Sequence, residues 1–538
     1  MADRNASQLS ADVLIVGSGP IGATFARVLS ESVLTAKILM VDVGPQLTSR
    51  PGMHVKNIED EGERLAAQIR SQGPTQYRYE IPSIEERSDA AGKRGRERIS
   101  MLARPGTHLV STDDADLDRS GMLAAALSSN VGGMGAHWTC ACPPPGNTER
   151  IPFIPEDEWD SLFKKAQELL CVTQEAYPHS VEAFAIMQML GDAFNARLTE
   201  GRHVQRMPLA VHLDEQGRRY WVGPDVVLGP LANAAEKSEH DRRLFELRSE
   251  TICRQLMHDG NHVTGAMIEH LPSGRREQVS ASVVVVAADT LRTPQLLWAS
   301  VIRPPALGHY LNDQPQIMAG MELSEEILGR AKATLQAAGQ LPEERRELAE
   351  SIVGVFWVPF HDPEHPFHGQ VMHLDLSPIP LDLSESRADP KHVVGLGWFC
   401  RKEVRYEDYI EFSDEETDYF GMPKMMIHYE LTSQDKAEVA AAQKEQARAV
   451  AAFGQALKED ESRLVPPGSS LHYQGTVRMG ETDDSQSVCD PYSRVWGFEN
   501  LFVGGNGVIP TATACNPTAT SVALAIRACE RIASLIMA

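Results

Sequence analysis

The sequence predicts an α/β fold, α+β overall, in which one domain built on a parallel sheet is intergrown with a second domain of antiparallel sheet plus helices. A strand, a glycine-rich turn, a helix and a second strand open the chain between residues 11 and 43. Residues 282–288 form a strand that is apolar on both faces, which is typical of the centre of a parallel sheet. Longer strand patterns and a helix fill residues 310–470, as in an antiparallel sheet covered by helices.

A chain of 538 residues is too long for one simple core and predicts two domains. No clean linker separates them, so we expect the chain to cross between them several times. The first domain is assigned to residues 1–50, 115–150, 240–310 and 480–538. The substrate-binding domain is assigned to 151–239 and 311–479, and 51–114 to an irregular insertion with a flexible, charged loop near 85–97.

Composition and charge exclude several classes of function. The formal net charge of −23 argues against nucleic acid and anionic membranes as partners, because both are bound through clustered Lys and Arg. We find no secretory signal and no membrane span. The eight cysteines lack the spacing of a disulfide scaffold, and Cys140-x-Cys142 has no second half of a metal site. We expect a cytoplasmic protein without metal, as a monomer or small homo-oligomer.

The N-terminal motif predicts a Rossmann-like dinucleotide site. Gly17, Gly19 and Gly22 form G-x-G-x-x-G between a strand and a helix, and Asp42 ends the next strand. The first glycine makes the tight turn, the second admits the pyrophosphate and the third packs helix on strand. The carboxylate of Asp42 is placed for a ribose hydroxyl pair.

A second glycine-rich stretch surrounds Met134 at residues 132–135. Glycines here let the backbone pass close to something flat and wide. His137 and Trp138 follow at once, and such a pair alone belongs to a core as often as to a site. The function of this stretch stays open on its residues alone.

A third stretch, residues 500–520, is a short apolar strand, a glycine-rich turn and the start of a helix. Asn516-Pro517 marks the helix start, because proline is favoured at the first helical position. The unpaired backbone N–H groups and the dipole favour electron-rich groups in front of that helix.

Together these stretches resemble the glucose-methanol-choline (GMC) oxidoreductases, and within them the pyranose oxidases and their bacterial relatives that oxidise sugars and glycosides. The resemblance covers the nucleotide domain well, is thin over 50–240 and is moderate over 350–430. Besides the N-terminal fingerprint, it is carried by Gly132-Gly133-Met134, His137-Trp138-Thr139-Cys140, Ala288–Leu297, Leu471-His472, Gly475-Thr476, Arg478-Met479-Gly480, Ser493-Arg494-Val495, Gly497-Phe498, Asn500-Leu501-Phe502 and Asn516.

The resemblance implies bound FAD, a hydride taken from a sugar carbon, and oxygen or a quinone as the second acceptor. It implies that Asp42 holds the adenosine ribose and that Cys253 offers backbone groups to the adenine. His137 matches the residue bonded to the flavin in pyranose oxidases, but Gly135-Ala136 replaces the expected hydroxyl-bearing pair, so covalent and non-covalent binding both stay open. The other implied cofactor-binding residues are Gly17, Gly19 and Gly22 at the pyrophosphate, and Gly133, Met134, Ala136, Thr139, Gly505, Asn506, Asn516 and Thr518 around the isoalloxazine.

His472 and Asn516 are the candidate catalytic residues. Oxidising a secondary alcohol needs a base for the hydroxyl proton, and histidine has a pKa near working pH. An asparagine amide can donate a hydrogen bond to the same oxygen as alkoxide charge develops. These two residues and flavin N5 would thus oxidise C2 or C3 of a pyranose or glycoside.

The substrate stays less defined. The resemblance places Gln370, Asp375 and Arg401 near the sugar, but residues 372–378 lack the aromatic side chain expected in that loop. Free glucose is therefore in doubt, and a bulky C-glycoside or O-glycoside oxidised at C3 is an alternative. Two other readings are an FAD sugar dehydrogenase that uses quinones and, disfavoured, a flavin-binding protein without turnover.

Overall fold

The computed structural model describes residues 9–72, 106–110, 121–233, 244–342, 353–373, 392–454 and 462–537. The α-helices are α1 Pro20–Ser32, α2 Glu61–Gln72, α3 Glu156–Leu169, α4 Val181–Phe194, α5 Pro224–Leu228, α6 Arg292–Ala299, α7 Glu325–Ala337, α8 Ser433–Phe453 and α9 Thr518–Met537. The strands are β1 Leu9–Val16, β2 Ile38–Val41, β3 Gly106–Leu109, β4 Ala126–Ser129, β5 Val172–Thr173, β6 Gln205–Arg206, β7 Leu209–Leu213, β8 Arg219–Trp221, β9 Phe245–Arg248, β10 Thr251–Asp259, β11 His262–His270, β12 Arg275–Val286, β13 Gln316–Glu322, β14 Val355–Val358, β15 Phe367–His373, β16 Val393–Cys400, β17 Tyr409–Thr417, β18 Pro423–His428, β19 Arg463–Leu464 and β20 Leu501–Val503.

The first sheet has the order β10-β11-β12-β1-β2-β9, with β20 paired to β12. β1 runs parallel to β2 and β12, and β20 runs parallel to β12. Residues 282–286 of the predicted strand belong to β12 and are central and parallel, as their apolar sequence predicts. Helices α1 and α9 pack against each other beside this sheet, and the carboxyl ends of its parallel strands form one edge.

The second sheet has the order β19-β13-β16-β15-β14-β6, and its strands are antiparallel. Side chains alternate between its faces along each strand. One face packs against α4 and α8 and contributes Ile317, Ala319, Met321, Val371, Val394, Leu396 and Trp398 to a core. The other face carries Gln316, Met318, Gln370, Met372, Gly395, Gly397 and Phe399 and borders a cavity.

These two sheets confirm the predicted fold class of a parallel-sheet domain combined with antiparallel sheet plus helices. The domain boundaries stay a prediction. In the predicted insertion at 51–114, α2 accounts for Glu61–Gln72, and the loop near 85–97 lies outside the described residues.

Across the described ranges, no helix is both long and apolar enough to cross a membrane. The same residues include no group of three or more His, Cys, Asp or Glu side chains that could hold a metal ion. Cys140 and Cys142 are buried free thiols. The cytoplasmic location stays a prediction.

Candidate active site

A cavity of about 380 Å³ lies between the carboxyl ends of β1, β2 and β12 and the open face of the second sheet. Its size falls within the range of small-molecule sites, roughly 300–1,000 Å³. The glycine turn after β1 lines one part of it, and His472 and Asn516 line another. The cavity therefore joins the predicted nucleotide site to the predicted reacting pair.

The three glycines after β1 are needed for different structural reasons. Gly17 has φ +104°, and a Cβ there would lie 2.2 Å from Ala287 O. A Cβ on Gly22 would lie 2.0 Å from Gly17 O, so Gly22 serves the packing of α1 and does not line the cavity. Gly19 lines the cavity, and its Cβ would meet nothing closer than Gly132 O at 3.9 Å. Gly19 therefore leaves open space in front of the start of α1, where anions bind favourably.

Asp42 ties the two glycine turns together. Its Oδ2 accepts from Ser18 N at 3.0 Å and Ser18 Oγ at 2.6 Å, and its Oδ1 accepts from Gly44 N at 2.9 Å. Ser18 Oγ in turn accepts from Gly132 N at 2.8 Å. Burial raises the pKa of the Asp42 carboxyl, while the hydrogen bonds from Ser18 and Gly44 oppose that rise.

Arg292 lines the same part of the cavity as Asp42 and Cys253 and was missed from the sequence. Its guanidinium lies 4.7 Å above the Phe420 ring. Its positive charge lowers the pKa of Asp289, but burial dominates and raises that pKa to about 6. A signal was available, because Arg292 starts the helix after central strand β12, where ligands of such sheets bind.

The second glycine stretch forms a tight turn against the cavity. Gly132 and Gly133 have φ values of +96° and +52°. His137 Nε2 lies 3.1 Å from Ser128 Oγ, which donates to Asn130 Oδ1 at 2.9 Å. Of the predicted residues here, Gly133, Met134, His137 and Thr139 line the cavity, while Ala136 is buried outside the lining.

The structure brings His472 and Asn516 together. Asn516 Nδ2 lies 3.2 Å from His472 Nε2, and His472 Nδ1 lies 2.7 Å from Gln314 Oε1. Gln314 uses its amide nitrogen to donate to Thr513 Oγ1 at 3.0 Å and Cys515 O at 2.8 Å, so its oxygen faces the imidazole. His472 therefore carries its proton on Nδ1 and keeps a lone pair on Nε2. Burial lowers its pKa to about 4, so the imidazole is neutral near pH 7.

Two buried carboxylates hold the loops that carry this pair. Asp313 accepts from Gly468 N at 3.0 Å and from Ser470 Oγ, just before His472. Glu149 Oε1 accepts from the backbone N–H groups of residues 514 and 515 at 2.6 and 3.0 Å, just before Asn516. Gln314, Asp313 and Glu149 were missed from the sequence. For Asp313 and Gln314 the sequence did offer an indication, because they belong to a run of polar residues at 312–316 where a strand begins.

Of the three predicted substrate residues, Gln370 reaches the pair. Its Nε2 donates to Asn516 Oδ1 at 2.7 Å. Arg401 does not line the cavity and is bonded instead to Asp362 Oδ2 and Thr148 Oγ1, both at 2.9 Å. Asp375 lies outside the described residues. On the C-terminal side, Gly505, Asn506 and Thr518 line the cavity.

Comparisons with known proteins show the family of this chain. The family model described as GMC oxidoreductase matches residues 408–525. The chain is 46% identical to C-glycoside 3-oxidase of Microbacterium trichothecenolyticum over 98% of this chain and 97% of the relative. The corresponding enzyme of Arthrobacter globiformis is 45% identical over 97% of this chain and 95% of its own.

More distant matches extend the agreement. Pyranose 2-oxidase of Tricholoma matsutake is 30% identical over 98% of this chain and 94% of that relative. The crystal structure of pyridoxine 4-oxidase from Mesorbium loti has the same fold, with a TM-score of 0.59 and 16% identity over 97% of this chain and 99% of that one. The chain therefore belongs to the GMC oxidoreductases, in their pyranose oxidase branch, and is an FAD-dependent oxidoreductase that acts on CH–OH groups.

Proposed function

We propose that this enzyme is a glycoside 3-oxidase that converts the C3 secondary alcohol of a C-glycoside or O-glycoside to a ketone, with O2 reduced to H2O2. The observation that carries the chemistry is the 3.2 Å contact between Asn516 Nδ2 and His472 Nε2 at the cavity. The similarity to two C-glycoside 3-oxidases, at 46% and 45% identity, supports the regiochemistry and the substrate class.

The residues around the cavity fit FAD. The space in front of Gly19 and the start of α1 suits the pyrophosphate. Asp42, Cys253 and Arg292 would hold the adenosine. When bound, FAD supplies the hydride acceptor of the reaction. The isoalloxazine would be surrounded by residues from the second glycine stretch and from the C-terminal turn, namely Gly133, Met134, His137, Thr139, Gly505, Asn506 and Thr518.

The proton of the reacting hydroxyl passes to His472. Its Nε2 lone pair is the acceptor, and Nδ1–H keeps its hydrogen bond to Gln314 Oε1 throughout. Gln314 thus keeps the ring in the orientation and tautomer of a base and accepts from the imidazolium that forms. Asn516 donates through Nδ2 to the same oxygen, where negative charge develops.

The surface beside the pair suits an aglycone larger than a hydroxyl group. Gly395 and Gly397 on β16 face the cavity without side chains, and Met318 and Met372 lie on the strands at either side. Thioether sulfur makes favourable contacts with aromatic rings. We therefore expect aryl glycosides to be preferred over free glucose.

Anaerobic flavin bleaching against a sugar panel tests this function. The enzyme is mixed with glucose, an aryl O-glucoside and an aryl C-glucoside, and the ketone position is read by NMR. We expect the glycosides to bleach the flavin faster and the ketone to lie at C3. Fastest bleaching by glucose with a C2 ketone would favour a pyranose 2-oxidase, and no bleaching by any of them would leave only flavin binding.

The acceptor is tested in air. We expect one H2O2 per ketone formed, since the two electrons and two protons removed from the alcohol reduce one O2. Turnover that requires an added quinone and yields no H2O2 would make the enzyme a dehydrogenase.

We further propose that FAD is held without a covalent bond to His137. The Nε2 atom of His137 is already in hydrogen-bond contact with Ser128 Oγ, which would have to be displaced by a bond at that nitrogen. Acid precipitation should therefore release the yellow flavin into the supernatant. Flavin that stays with the pellet, and with the His137 peptide after digestion, would contradict this.

A further inference from the structure

A strained residue immediately precedes the proposed base. Leu471 has φ +60°, in the left-handed region that residues with a Cβ rarely adopt. Its backbone N–H donates to Gly468 O at 3.4 Å, which closes a tight turn just before His472. Leu471 is half-buried and lines the cavity. Strain of this kind persists only where the surrounding structure holds it, and it is typical of functional sites.

Ser470 links the main chain of the base to a buried carboxylate. Its Oγ accepts from the backbone N–H of His472 at 3.1 Å, across Leu471. The same hydroxyl donates to Asp313 Oδ1. Because an ionised carboxylate can only accept, the hydroxyl hydrogen faces Asp313 and a lone pair of Oγ faces His472. Ser470 thus relays a hydrogen bond from the carboxylate to the residue after Leu471.

Asp313 anchors this relay and the tight turn together. Its Oδ2 accepts from Gly468 N at 3.0 Å, while Oδ1 takes the Ser470 hydroxyl. The Asp313 residue is 2% exposed, and a buried charge is costly unless its hydrogen bonds are kept. One side chain therefore holds both ends of the turn that contains Leu471.

The segment that carries Asp313 also fixes the chain beyond the turn. Asn312 and Gln474 exchange two backbone hydrogen bonds, both at 2.9 Å. The backbone is thus fastened before Leu471 by Asp313 and after it by Asn312. For Leu471 to return to a negative φ, at least one of these connections would have to break.

The backbone at Leu471 sets the direction of the next side chain. His472 Nε2 lies 3.2 Å from Asn516 Nδ2, and rotation about φ of Leu471 would turn the imidazole away, because it moves the chain on one side of that bond relative to the other. We propose, building on the proposed function, that Leu471 is a positioning residue, held by Ser470 and Asp313 in a strained conformation that directs His472 into the cavity.

The main test removes the relay with Ser470→Ala and measures kcat for glycoside oxidation. Leu471 is then free to leave the left-handed region. We expect kcat to fall about 5- to 30-fold, the factor by which a residue with a Cβ disfavours that conformation. Ser469→Ala is the matched control, since the Ser469 hydroxyl donates to Pro466 O at 2.7 Å and does not line the cavity. Its kcat should equal that of the parent enzyme.

Substitutions of Leu471 separate strain from a lost substrate contact, which Ser470→Ala alone does not exclude because Ser470 lines the cavity. Glycine enters the left-handed region freely, whereas alanine does not. The double variant Ser470→Ala/Leu471→Gly should keep kcat within about threefold of Leu471→Gly alone. Ser470→Ala/Leu471→Ala should lie about 5- to 30-fold below Leu471→Ala alone. Equal losses in the two pairs would overturn the proposal.

A stability measurement keeps the two proposals apart. Leu471→Gly should melt at a higher temperature than Leu471→Ala, with and without FAD, because only alanine is strained at a positive φ. At Leu65, exposed on α2, the same two substitutions should rank in the opposite order, since glycine is unfavourable within a helix.

Equal melting temperatures for the two Leu471 variants, or a higher one for Leu471→Ala, would overturn the positioning proposal whatever the substrate is. If no glycoside is oxidised but Leu471→Gly is the more stable variant, the proposed function fails and the strain at Leu471 stands.

Discussion

Replacing His472 by alanine is expected to slow flavin reduction by glycosides between about 10²- and 10⁴-fold, the usual contribution of a positioned general base. The Nε2 lone pair of His472 is held by the Gln314 contact at Nδ1. Asn516, beside it, offers N–H and cannot take its place as a base. FAD should stay bound, because His472 lies apart from the glycine turns.

Stopped-flow mixing without oxygen measures this loss. His365→Gln serves as control, since His365 is also fully buried with a lowered pKa of about 4 but lies outside the cavity lining. Added imidazole should restore part of the rate in His472→Ala by entering the vacated space. A variant that bleaches at the parent rate would remove His472 from the mechanism.

The same base sets a pH dependence. Burial lowers the pKa of His472 to about 4, which means that the unprotonated, proton-accepting form prevails above that pH. The rate of flavin reduction should be level towards neutrality and fall as the pH drops through about 4. If the rate of flavin reduction instead fell at about pH 6.5, the ordinary pKa of histidine, the base would not be desolvated.

Gly17→Ala is expected to abolish FAD binding and to unfold much of the first domain. The backbone at Gly17 has φ +104°, and a Cβ would lie 2.2 Å from Ala287 O at the end of β12. Left-handed strain on a non-glycine residue costs about 1–3 kcal/mol, and overpacking adds typically 1–3 kcal/mol. Relief would require β1 and β12 to separate at Val16, which pairs with Val286.

Gly19→Ala is the matched control in the same turn. Its φ of −61° suits any residue, and the nearest atom to a new Cβ is 3.9 Å away. This variant should fold with the thermal stability of the parent apoprotein but bind FAD more weakly, because the methyl group faces the cavity. Melting curves with and without FAD, and the ratio of flavin to protein absorbance, distinguish the two. A yellow, stable Gly17→Ala would contradict the steric argument.

Local sequence patterns predicted those parts of the fold that are formed by residues close together in the chain. The β1–α1–β2 unit requires a glycine in the turn after β1 and apolar residues where the two strands are buried, and both features can be seen in the sequence. The confirmed family assignment also came from short motifs around Gly133 and His472. Strand ends could not be predicted as well: β15 extends over Phe367–His373 because a sheet continues its pairing wherever a neighbouring strand is present.

The supporting residues could not be predicted, because each acts across a long separation in the chain. Gln314 meets His472, and Glu149 meets the loop before Asn516, 365 residues away. Nothing local distinguishes a glutamine that fixes a tautomer from one at the surface. Arg401 is the opposite case, a residue that was predicted but lies elsewhere. The resemblance placed it near the sugar, whereas in the structure its charge is paired with Asp362.

The strand β20 and the turn after it set the order of events when the protein is made. β20 pairs with β12 inside the first sheet, and Gly505, Asn506 and Thr518 complete the wall of the cavity. A ribosome reaches these residues only after the first 500, so a shorter nascent chain lacks part of the cavity wall. We therefore expect FAD to bind late, once this wall has been made. In cells short of riboflavin the polypeptide should stay empty and, without the stabilisation that ligand binding gives, be degraded faster.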